Sequence, residues 1–403
     1  IGRPGTSKFG YVDDRKMVRD ARELFERLNM NIDPTAYCRD LPVARLQMVE
    51  IARALSFDSK ILVMDEPTAP LTTTETESLF ELVRDFVCPT TGLIFITHRM
   101  PELTELTNRI SVLRDGKYIG TVDTASTPMS EVVKMMVGRE VPADARPTTK
   151  PLSDEAVLRV EHLSTVKVVH DVSFEVKKGE IFGFAGLVGA GRTEVARALF
   201  GADPHTEGDI YVHGKKVSIK GATDAVKNGI GYLSEDRKQY GLLLDKDLSF
   251  NTGMAAMDHF TNASVVATKK LRAVAQDYVK KLRTRTPSVD VEVRSLSGGN
   301  QQKVVVAKWL ERDTDILIFD EPTRGIDVGA KDEIYTLLEE LAKQGKAIIV
   351  ISSELPEVLR LANRIAVMAH GRIIGTLDNE EATQENIMEL ATVGQEEANG
   401  VHA

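Results

Sequence analysis

Two adjacent carboxylates, Asp320 and Glu321, follow a short run of apolar residues, Ile316–Phe319. A fully apolar run of this length is typical of a strand that is buried on both faces of a parallel sheet. Open α/β sheets bind their ligands at the carboxyl ends of such strands. At that edge Asp320 is suited to hold Mg²⁺, and Glu321 is suited to polarise a water for attack on a phosphoryl group.

A glycine-rich loop lies between a predicted strand, Glu180–Ala185, and a predicted helix, Thr193–Phe200. Strand, glycine loop and helix are the context of a phosphate-binding P-loop, in which backbone N–H groups turn toward the phosphates. Arg192 replaces the usual lysine, and its planar guanidinium does not fit the same nest as an ammonium. We therefore predict a loop that binds nucleotide but is impaired in catalysis. Its predicted nucleotide contacts are Gly186, Gly189, Ala190, Gly191, Arg192 and Thr193, of which Thr193 is also placed to ligate Mg²⁺.

A second candidate phosphate contact is the start of a helix predicted over Gln301–Leu310. Ser297, Gly298 and Gly299 precede it, and they leave backbone N–H groups uncovered beside the positive end of the helix dipole. Taken alone, such a stretch is as typical of an ordinary helix cap. Together with the glycine loop and the paired carboxylates, it indicates a nucleotide site.

These motifs carry a resemblance to a known family. Leu296–Gln301 and Ile316–Glu321 resemble the signature motif and the Walker B strand of ABC transporter ATP-binding subunits. The loop with Arg192, followed by Glu235–Lys238, is similar to the second half of the tandem ATPases that drive bacterial import of ribose, galactose, xylose or arabinose. The resemblance runs from about Asp13 to Gly394. It implies an α/β fold of tandem ABC-type P-loop ATPase domains, each with a mostly parallel sheet core, an antiparallel β part and a helical subdomain, and it implies ATP and Mg²⁺ as ligands.

An internal repeat supports two copies of one domain. Leu41–Leu55 aligns with Leu296–Leu310 at an offset of 296 − 41 = 255 residues. The same offset, without a gap, carries Asp65-Glu66 onto Asp320-Glu321 and His98 onto Ser353. We therefore expect Asp65 to bind metal and Glu66 to be catalytic in the first copy.

The first copy is predicted to be incomplete, because the glycine loop projects back to 186 − 255 = −69, before residue 1. We expect either a fragment of a longer protein or a truncated gene product. The predicted boundaries are residues 1–138 for the C-terminal part of the first ABC domain, 139–156 for a linker and 157–394 for the second domain. Residues 395–403 are predicted to be a flexible tail.

The resemblance also implies roles for three further residues. His98 stands at the position of the histidine that contacts the γ-phosphate and the attacking water. Glu235 stands where most family members carry a glutamine that couples the nucleotide state to the membrane partner. Asp327 matches the loop that faces the opposite domain. We count Glu235 and Asp327 as nucleotide-site residues and His98 as catalytic.

The two copies differ in a consistent way. In this family each ATP lies between the P-loop of one copy and the signature helix of the other. The second site would combine Arg192 and Ser353 with a degenerate first-copy signature, Pro42–Ala44, so every defect falls on one site. We expect the first site to hydrolyse ATP and the second mainly to bind it. The 403-residue chain alone is expected to bind ATP weakly and to hydrolyse it barely.

Composition limits the possible partners. The net charge of −9 and pI of about 5.6 argue against a broad nucleic-acid-binding face. The two cysteines, Cys38 and Cys88, cannot form a disulfide framework, which fits a reducing compartment. No run approaches the ~18 apolar residues of a membrane span. We expect a soluble protein whose membrane role comes through a partner.

The favoured function is that of the ATP-binding subunit of a bacterial importer for simple sugars, peripheral at the cytoplasmic face of the cell membrane. Its expected partners are integral-membrane permease subunits, as a dimer, and indirectly a periplasmic or lipid-anchored sugar-binding protein. The alternative is a soluble tandem ABC ATPase, ribosome-associated or regulatory. Ribosomal members carry a long charged helical linker, whereas Gly138–Glu155 is short and contains three prolines. The motifs do not identify the sugar.

Overall fold

The structure is a computed structural model that describes residues 12–393 apart from 28–29, 58, 69–70, 98, 115, 139–145, 263–264 and 327. The chain divides into two compact units, Ile1–Val141 and Pro142–Ala403, which we call the N unit and the C unit. This division falls inside the segment predicted as a linker. The tail predicted over 395–403 lies outside the described residues.

The described residues of the N unit form a parallel strand pair, an antiparallel hairpin and five α-helices. The helices are α1 (Asp14–Arg27), α2 (Val43–Leu55), α3 (Thr73–Phe86), α4 (Met100–Leu106) and α5 (Met129–Val137). The parallel strands are β1 (Ile61–Asp65) and β2 (Gly92–Ile96), and the hairpin strands are β3 (Arg109–Arg114) and β4 (Lys117–Asp123). One face of the β1–β2 pair packs on α2 and α3 through the buried side chains of Met48, Ile51, Leu62, Met64, Leu79 and Val83.

The other face of the β1–β2 pair is apolar and exposed. Ile61 is 67% exposed, and Val63, Ile94 and Ile96 on the same face are also exposed. Their counterparts at an offset of 255 are fully buried core residues of the C unit, namely Ile316, Ile318, Ile349 and Ile351. The sequence of these strands is thus that of a two-faced buried sheet, whereas only one face is covered in the described N unit.

The C unit is built on two sheets. Its strands are β5 (Ala156–Thr165), β6 (Val172–Lys177), β7 (Ile181–Gly186), β8 (His205–Val212), β9 (Lys215–Val217), β10 (Ile230–Leu233), the short pair β11 (Thr261–Asn262) and β12 (Val265–Val266), β13 (Ile316–Asp320), β14 (Ala347–Ile351), β15 (Arg364–Ala369) and β16 (Arg372–Asp378). A six-stranded sheet has the order β10-β13-β14-β7-β15-β16 and is parallel except for β16. The order β6-β5-β8-β9 forms an antiparallel sheet.

Eight helices complete the described C unit: α6 (Arg192–Leu199), α7 (Ala222–Lys227), α8 (Leu248–Gly253), α9 (Thr268–Lys281), α10 (Gly298–Glu311), α11 (Val328–Lys343), α12 (Leu355–Leu361) and α13 (Gln384–Thr392). Every residue of β13 and β14 is buried. Ile316 and Ile318 pack toward the antiparallel sheet, while Leu317 and Phe319 pack toward the helical side. A parallel core, an antiparallel part and a helical part are the predicted fold class, which is confirmed.

The structure differs from the linker prediction at its C-terminal side, because residues 146–155 pack along the C unit. The Arg146 guanidinium donates to the carbonyl oxygens of Asn379 and Ala382, both at 3.0 Å. The Thr148 hydroxyl donates to Glu339 at 2.6 Å, and Asn363 donates to the Thr149 carbonyl at 2.6 Å. We call residues 146–155 the strap. The sequence of the strap is polar and contains proline, which is typical of a linker. Its hydrogen-bond partners lie about two hundred residues away in the chain, so the local pattern does not reveal them.

Candidate functional site

The P-loop joins β7 to α6 through three glycines with positive φ. Gly186, Gly189 and Gly191 have φ values of 148°, 83° and 101°. A Cβ at Gly186 would lie 2.4 Å from the Met368 carbonyl oxygen, so only glycine fits there. Gly191 is the residue before the first turn of α6. The loop therefore carries the sharply turned backbone of a phosphate nest, as the sequence predicts.

The loop places Thr193 against the carboxylate at the end of β13. The Thr193 hydroxyl donates to Asp320 Oδ1 at 3.1 Å, and the Tyr232 hydroxyl donates to Oδ2 at 2.8 Å. Burial raises the pKa of Asp320, while these two hydrogen bonds lower it. The structure thus brings together Thr193 and Asp320, two of the three residues that were predicted to hold Mg²⁺, while the third, Asp65, lies in the N unit. The second hydroxyl donor to this carboxylate, Tyr232, was not predicted from the sequence.

The donor set suits Mg²⁺ bound together with a nucleotide. A hydroxyl and a carboxylate are hard oxygen donors, and Mg²⁺ in nucleotide sites is usually held by one or two such groups and by the substrate phosphates. Among the described residues, no group of three or more histidine, cysteine, aspartate and glutamate side chains could hold a metal ion. Thr193 and Asp320 are therefore the residues that would hold Mg²⁺, and the ion would neutralise phosphate charge there.

Glu321 lies one residue beyond the metal carboxylate in a left-handed backbone conformation, with a φ of 49°. The Ser353 hydroxyl donates to its Oε2 at 3.1 Å. Burial raises the pKa of Glu321 to about 7, against the opposing effects of the Arg192 charge and the Ser353 hydrogen bond. A carboxylate with a pKa near neutrality is suited to accept a proton from an attacking water.

Arg192 is turned toward the sheet edge. It is only 8% exposed, and its Nη1 donates to the Ser352 carbonyl oxygen at 2.6 Å. Burial lowers its pKa, while the charges of Glu321 and Asp320 raise it. One of its donors is therefore already committed to the backbone at the end of β14, in the segment that leads to Ser353.

The predicted signature residues open α10 and pack closely on neighbouring backbone. Ser297 precedes the first turn and accepts from Asn300 Nδ2 at 2.8 Å. A Cβ at Gly298 would lie 3.1 Å from the Gly325 carbonyl oxygen, and one at Gly299 would lie 3.0 Å from Ala330 Cβ. Within the described residues, no hydrogen bond joins these three residues to the P-loop. The C unit therefore does not bring its own signature and its own P-loop together.

The remaining predicted residues lie after β10, at the end of β1 in the N unit, or outside the described residues. Glu235, just after β10, forms an ion pair with Arg324, which follows Glu321 in the chain. In the N unit, Asp65 ends β1, and Glu66 has a φ of 44°, close to the value for Glu321. Both glutamates donate their backbone N–H to the last residue of the adjacent strand. His98 and Asp327 lie outside the described residues.

Two further features lie beside the site, and the second of them was not predicted from the sequence. The turn between β5 and β6 places Val168 beside the P-loop, since a Cβ at Gly191 would lie 3.4 Å from Val168 Cγ1. A buried glutamate, Glu357, accepts hydrogen bonds from the hydroxyl groups of Thr323, two residues after Glu321, and of Ser352, the neighbour of Ser353. The repeat carried a signal for the second feature, because the offset of 255 also relates Glu357 to Glu102.

Comparison with known proteins places this site in a family. A family model described as ABC transporter matches residues 169–324. Relatives named as import ATP-binding proteins match nearly the whole chain. One from Burkholderia cenocepacia, named for ribose, galactose and methyl galactoside, is 52% identical over 97% of this chain and 77% of its own length. A ribose import ATP-binding protein from Streptomyces avermitilis is 50% identical over 95% of this chain and 73% of its own length.

Solved structures share the fold. An ATP-binding cassette of an ABC transporter has a TM-score of 0.51 at 21% identity, over 58% of this chain and 98% of its own. Part of an ABC transporter complex from Clostridium perfringens has a TM-score of 0.50 at 20% identity, over 61% of this chain and 98% of its own. These matches confirm the predicted ATPase fold. With half of its residues identical to relatives of which it covers about three quarters, the chain belongs to the family of ABC transporter ATP-binding proteins.

Proposed function

We propose that this ATPase energises the import of a simple sugar through a membrane permease, as a peripheral subunit at the cytoplasmic face of the cell membrane. The observation that carries the proposal is the juxtaposition of Thr193 with Asp320 at the end of β13, in a chain whose relatives are named for ribose and galactose import. Thr193 and Asp320 would hold Mg²⁺ with ATP, and Glu321 would stand beside the bound nucleotide as the counterpart of Glu66, the residue proposed to accept the proton of the attacking water. No helix in the described part of the chain is long and apolar enough to cross a membrane.

A cleft in the C unit supports a permease as the partner. The cleft has a volume of about 700 Å³ and opens beside Ser234, the neighbour of Glu235. Its lining includes aromatic rings, Tyr232, Tyr240 and Trp309, and Tyr240 is 63% exposed. Aromatic side chains around a concave surface are typical of sites that take one protein segment of a partner. A cytoplasmic helix of the permease in this cleft would contact the loop that leads from β10 toward the nucleotide site.

We also propose that the N unit and the C unit derive from two copies of one ABC domain, over residues 1–138 and 157–394. The support is the common offset of 255, which relates Glu66 to Glu321 in the same left-handed conformation. The exposed apolar face of β1 and β2 corresponds at this offset to buried core residues of the C unit. A sugar-binding protein outside the membrane and a permease dimer complete the transporter.

The motif sets of the two copies are unequal in the proposed mechanism. The set with Asp65, Glu66 and His98 hydrolyses ATP, and the set of the C unit mainly binds it. Two observations support this assignment: Arg192 is committed to the Ser352 carbonyl, and Ser353 stands where the first copy has histidine. A serine hydroxyl can donate to phosphate but cannot become cationic near neutral pH.

The test is co-expression with a permease of the ribose and galactose class, followed by membrane fractionation and assay of sugar-stimulated ATP hydrolysis in proteoliposomes. We expect the chain to co-purify with the permease from the membrane. Tyr240→Asp, which replaces an exposed ring of the cleft by a carboxylate, should release it into the soluble fraction, whereas Tyr211→Asp, a change on the antiparallel sheet, should not. A chain that stays with ribosomes or in the soluble fraction would favour the alternative of a tandem ABC ATPase unconnected with transport.

A further inference from the structure

A buried glutamate at the start of α12 binds two hydroxyl groups. Glu357 is 3% exposed. It accepts from the Thr323 hydroxyl at 2.9 Å through Oε1 and from the Ser352 hydroxyl at 2.5 Å through Oε2. Burial raises its pKa, and the two hydroxyl donors lower it. Burying a carboxyl group costs free energy unless its oxygens are hydrogen-bonded. The two hydroxyl donors therefore stabilise Glu357 in this buried position.

The same arrangement occurs in the N unit. Glu102, at 5% exposure, accepts from the Thr68 hydroxyl at 2.6 Å and from the Thr97 hydroxyl at 2.7 Å. Each member is related to its C-unit counterpart by the offset of 255. Thr68 corresponds to Thr323, and Thr97 corresponds to Ser352, which is the one change of residue type among the three. The two copies differ at the next residue, which we call the switch position: residue 98 is histidine and residue 353 is serine. The buried glutamate and its two donors are thus retained while the chemistry beside them differs.

The two hydroxyl donors belong to segments that carry the candidate chemical groups. Thr323 lies two residues after Glu321, and Ser352 directly precedes Ser353, whose hydroxyl donates to Glu321 at 3.1 Å. The carbonyl of Ser352 also accepts from Arg192 of the P-loop. Three segments therefore meet at Ser352 and Glu357. They are the P-loop, residues 321–326, which we call the carboxylate loop, and residues 352–354, which we call the switch segment.

We propose that Glu357 and Glu102 are positioning residues that keep the switch segment and the carboxylate loop in register, so that both act on the terminal phosphate of ATP. The proposal rests on the proposed function in that the ligand is ATP. The Ser353–Glu321 pair adjoins Asp320 of the Thr193–Asp320 pair in the chain, and the proposal takes Ser353 and Glu321 as the contacts to the terminal phosphate. Disturbing the register should therefore weaken contacts to ATP and leave the contacts that ADP makes with the P-loop.

The first test measures Mg²⁺-ATP and Mg²⁺-ADP binding to the 403-residue chain by titration calorimetry. We expect Glu357→Ala and Ser352→Ala to weaken ATP binding at least fivefold and to leave ADP binding within twofold. Ser352→Thr, which recreates the donor pair of the N unit, should keep the affinity of the unaltered chain. The matched control is Glu339→Ala, which removes another buried glutamate with two partners, Thr148 and Arg360, away from the P-loop. Equal losses for ATP and ADP, or no loss of either, would overturn the proposal.

The second test is hydrogen–deuterium exchange without nucleotide, which decides the proposal even for a chain that binds no ATP. In Glu357→Ala and in the milder Glu357→Gln, residues 321–326 and 352–354 should lose protection together. Loss of protection in only one of the two segments, or in neither, would show that the glutamate does not couple them. If both segments lose protection together but the unaltered chain binds no ATP, the result counts against the proposed function and not against this coupling.

Discussion

At the scale of single residues, the site places a glutamate where ionisation is costly. Glu321 is removed from water next to Asp320, and its pKa rises to about 7. A glutamate that is ionised freely in the unfolded chain thus holds a proton more tightly in the folded one. The folded state therefore loses stability as the pH rises from the unfolded pKa through the folded pKa, and the full penalty is present above about pH 7. Function and stability oppose each other at this position.

Glu321→Gln should therefore stabilise the chain at pH 8 and have little effect at pH 5. The amide keeps the shape of the side chain but carries no charge, so the penalty for ionisation disappears. We expect the midpoint of thermal unfolding at pH 8 to rise by a few degrees, measured by calorimetry with the unaltered chain as reference. A surface change such as Glu207→Gln should give the same small effect at both pH values. An equal shift at pH 5 and pH 8 for Glu321→Gln would contradict this account.

Arg192 shows a second effect at the residue scale. Its guanidinium is buried and donates to the Ser352 carbonyl, so its charge is directed at the sheet edge. Arg192→Lys should bind ATP at least threefold more tightly in the 403-residue chain, because a compact ammonium can approach a phosphate within the glycine nest. Arg192→Ala should bind ATP more weakly than either. Titration with a fluorescent ATP analogue measures all three, and tighter binding by the alanine variant would show that the guanidinium only obstructs the loop.

At the scale of elements, the strands were predictable and the strap was not. Burial on both faces leaves a continuous apolar run, so the strands predicted over Glu180–Ala185 and Ile316–Phe319 agree with β7 and β13 to within one residue at each end. The helix after Ser297 begins at Gly298, three residues before its predicted start, because Ser297 already precedes the first helical turn. The contacts of Arg192 with Ser352 and of Arg146 with Asn379 join residues 160 and 233 positions apart. No local pattern of charge or hydrophobicity encodes such pairings.

The strap gives a prediction about an element. Arg146 donates to Asn379 and Ala382, at the turn between β16 and α13. Arg146→Ala should lower the free energy of unfolding of the C unit by about 1–2 kcal/mol, the usual range for hydrogen bonds from a charged donor that is partly exposed. Urea unfolding followed by the fluorescence of Trp309, which lies in the core of the C unit, measures this change. Lys150→Ala, at an exposed position of the same strap, serves as control, and an equal loss from both variants would mean that the strap is held by its backbone alone.

At the scale of the whole molecule, corresponding groups recur in the N unit and the C unit at one sequence offset. The paired carboxylates, the left-handed glutamate and the buried glutamate with two hydroxyl donors recur at the offset of 255. The repeat made these positions predictable from sequence. It did not predict the surroundings of Glu321, because the Arg192 charge beside it comes from the P-loop, which is distant in the chain.

The inequality predicts which glutamate controls turnover. In the transporter assembled with its permease, Glu66→Gln should lower ATP hydrolysis by about 10²–10³-fold, the usual cost of one positioned catalytic group. Glu321→Gln should change it less than threefold, since the C-unit set already has a committed arginine and a serine at the switch position. Both variants should keep ATP binding, which separates loss of chemistry from loss of fold. Phosphate release per transporter measures the rate, and comparable losses from the two substitutions would show that both copies hydrolyse ATP.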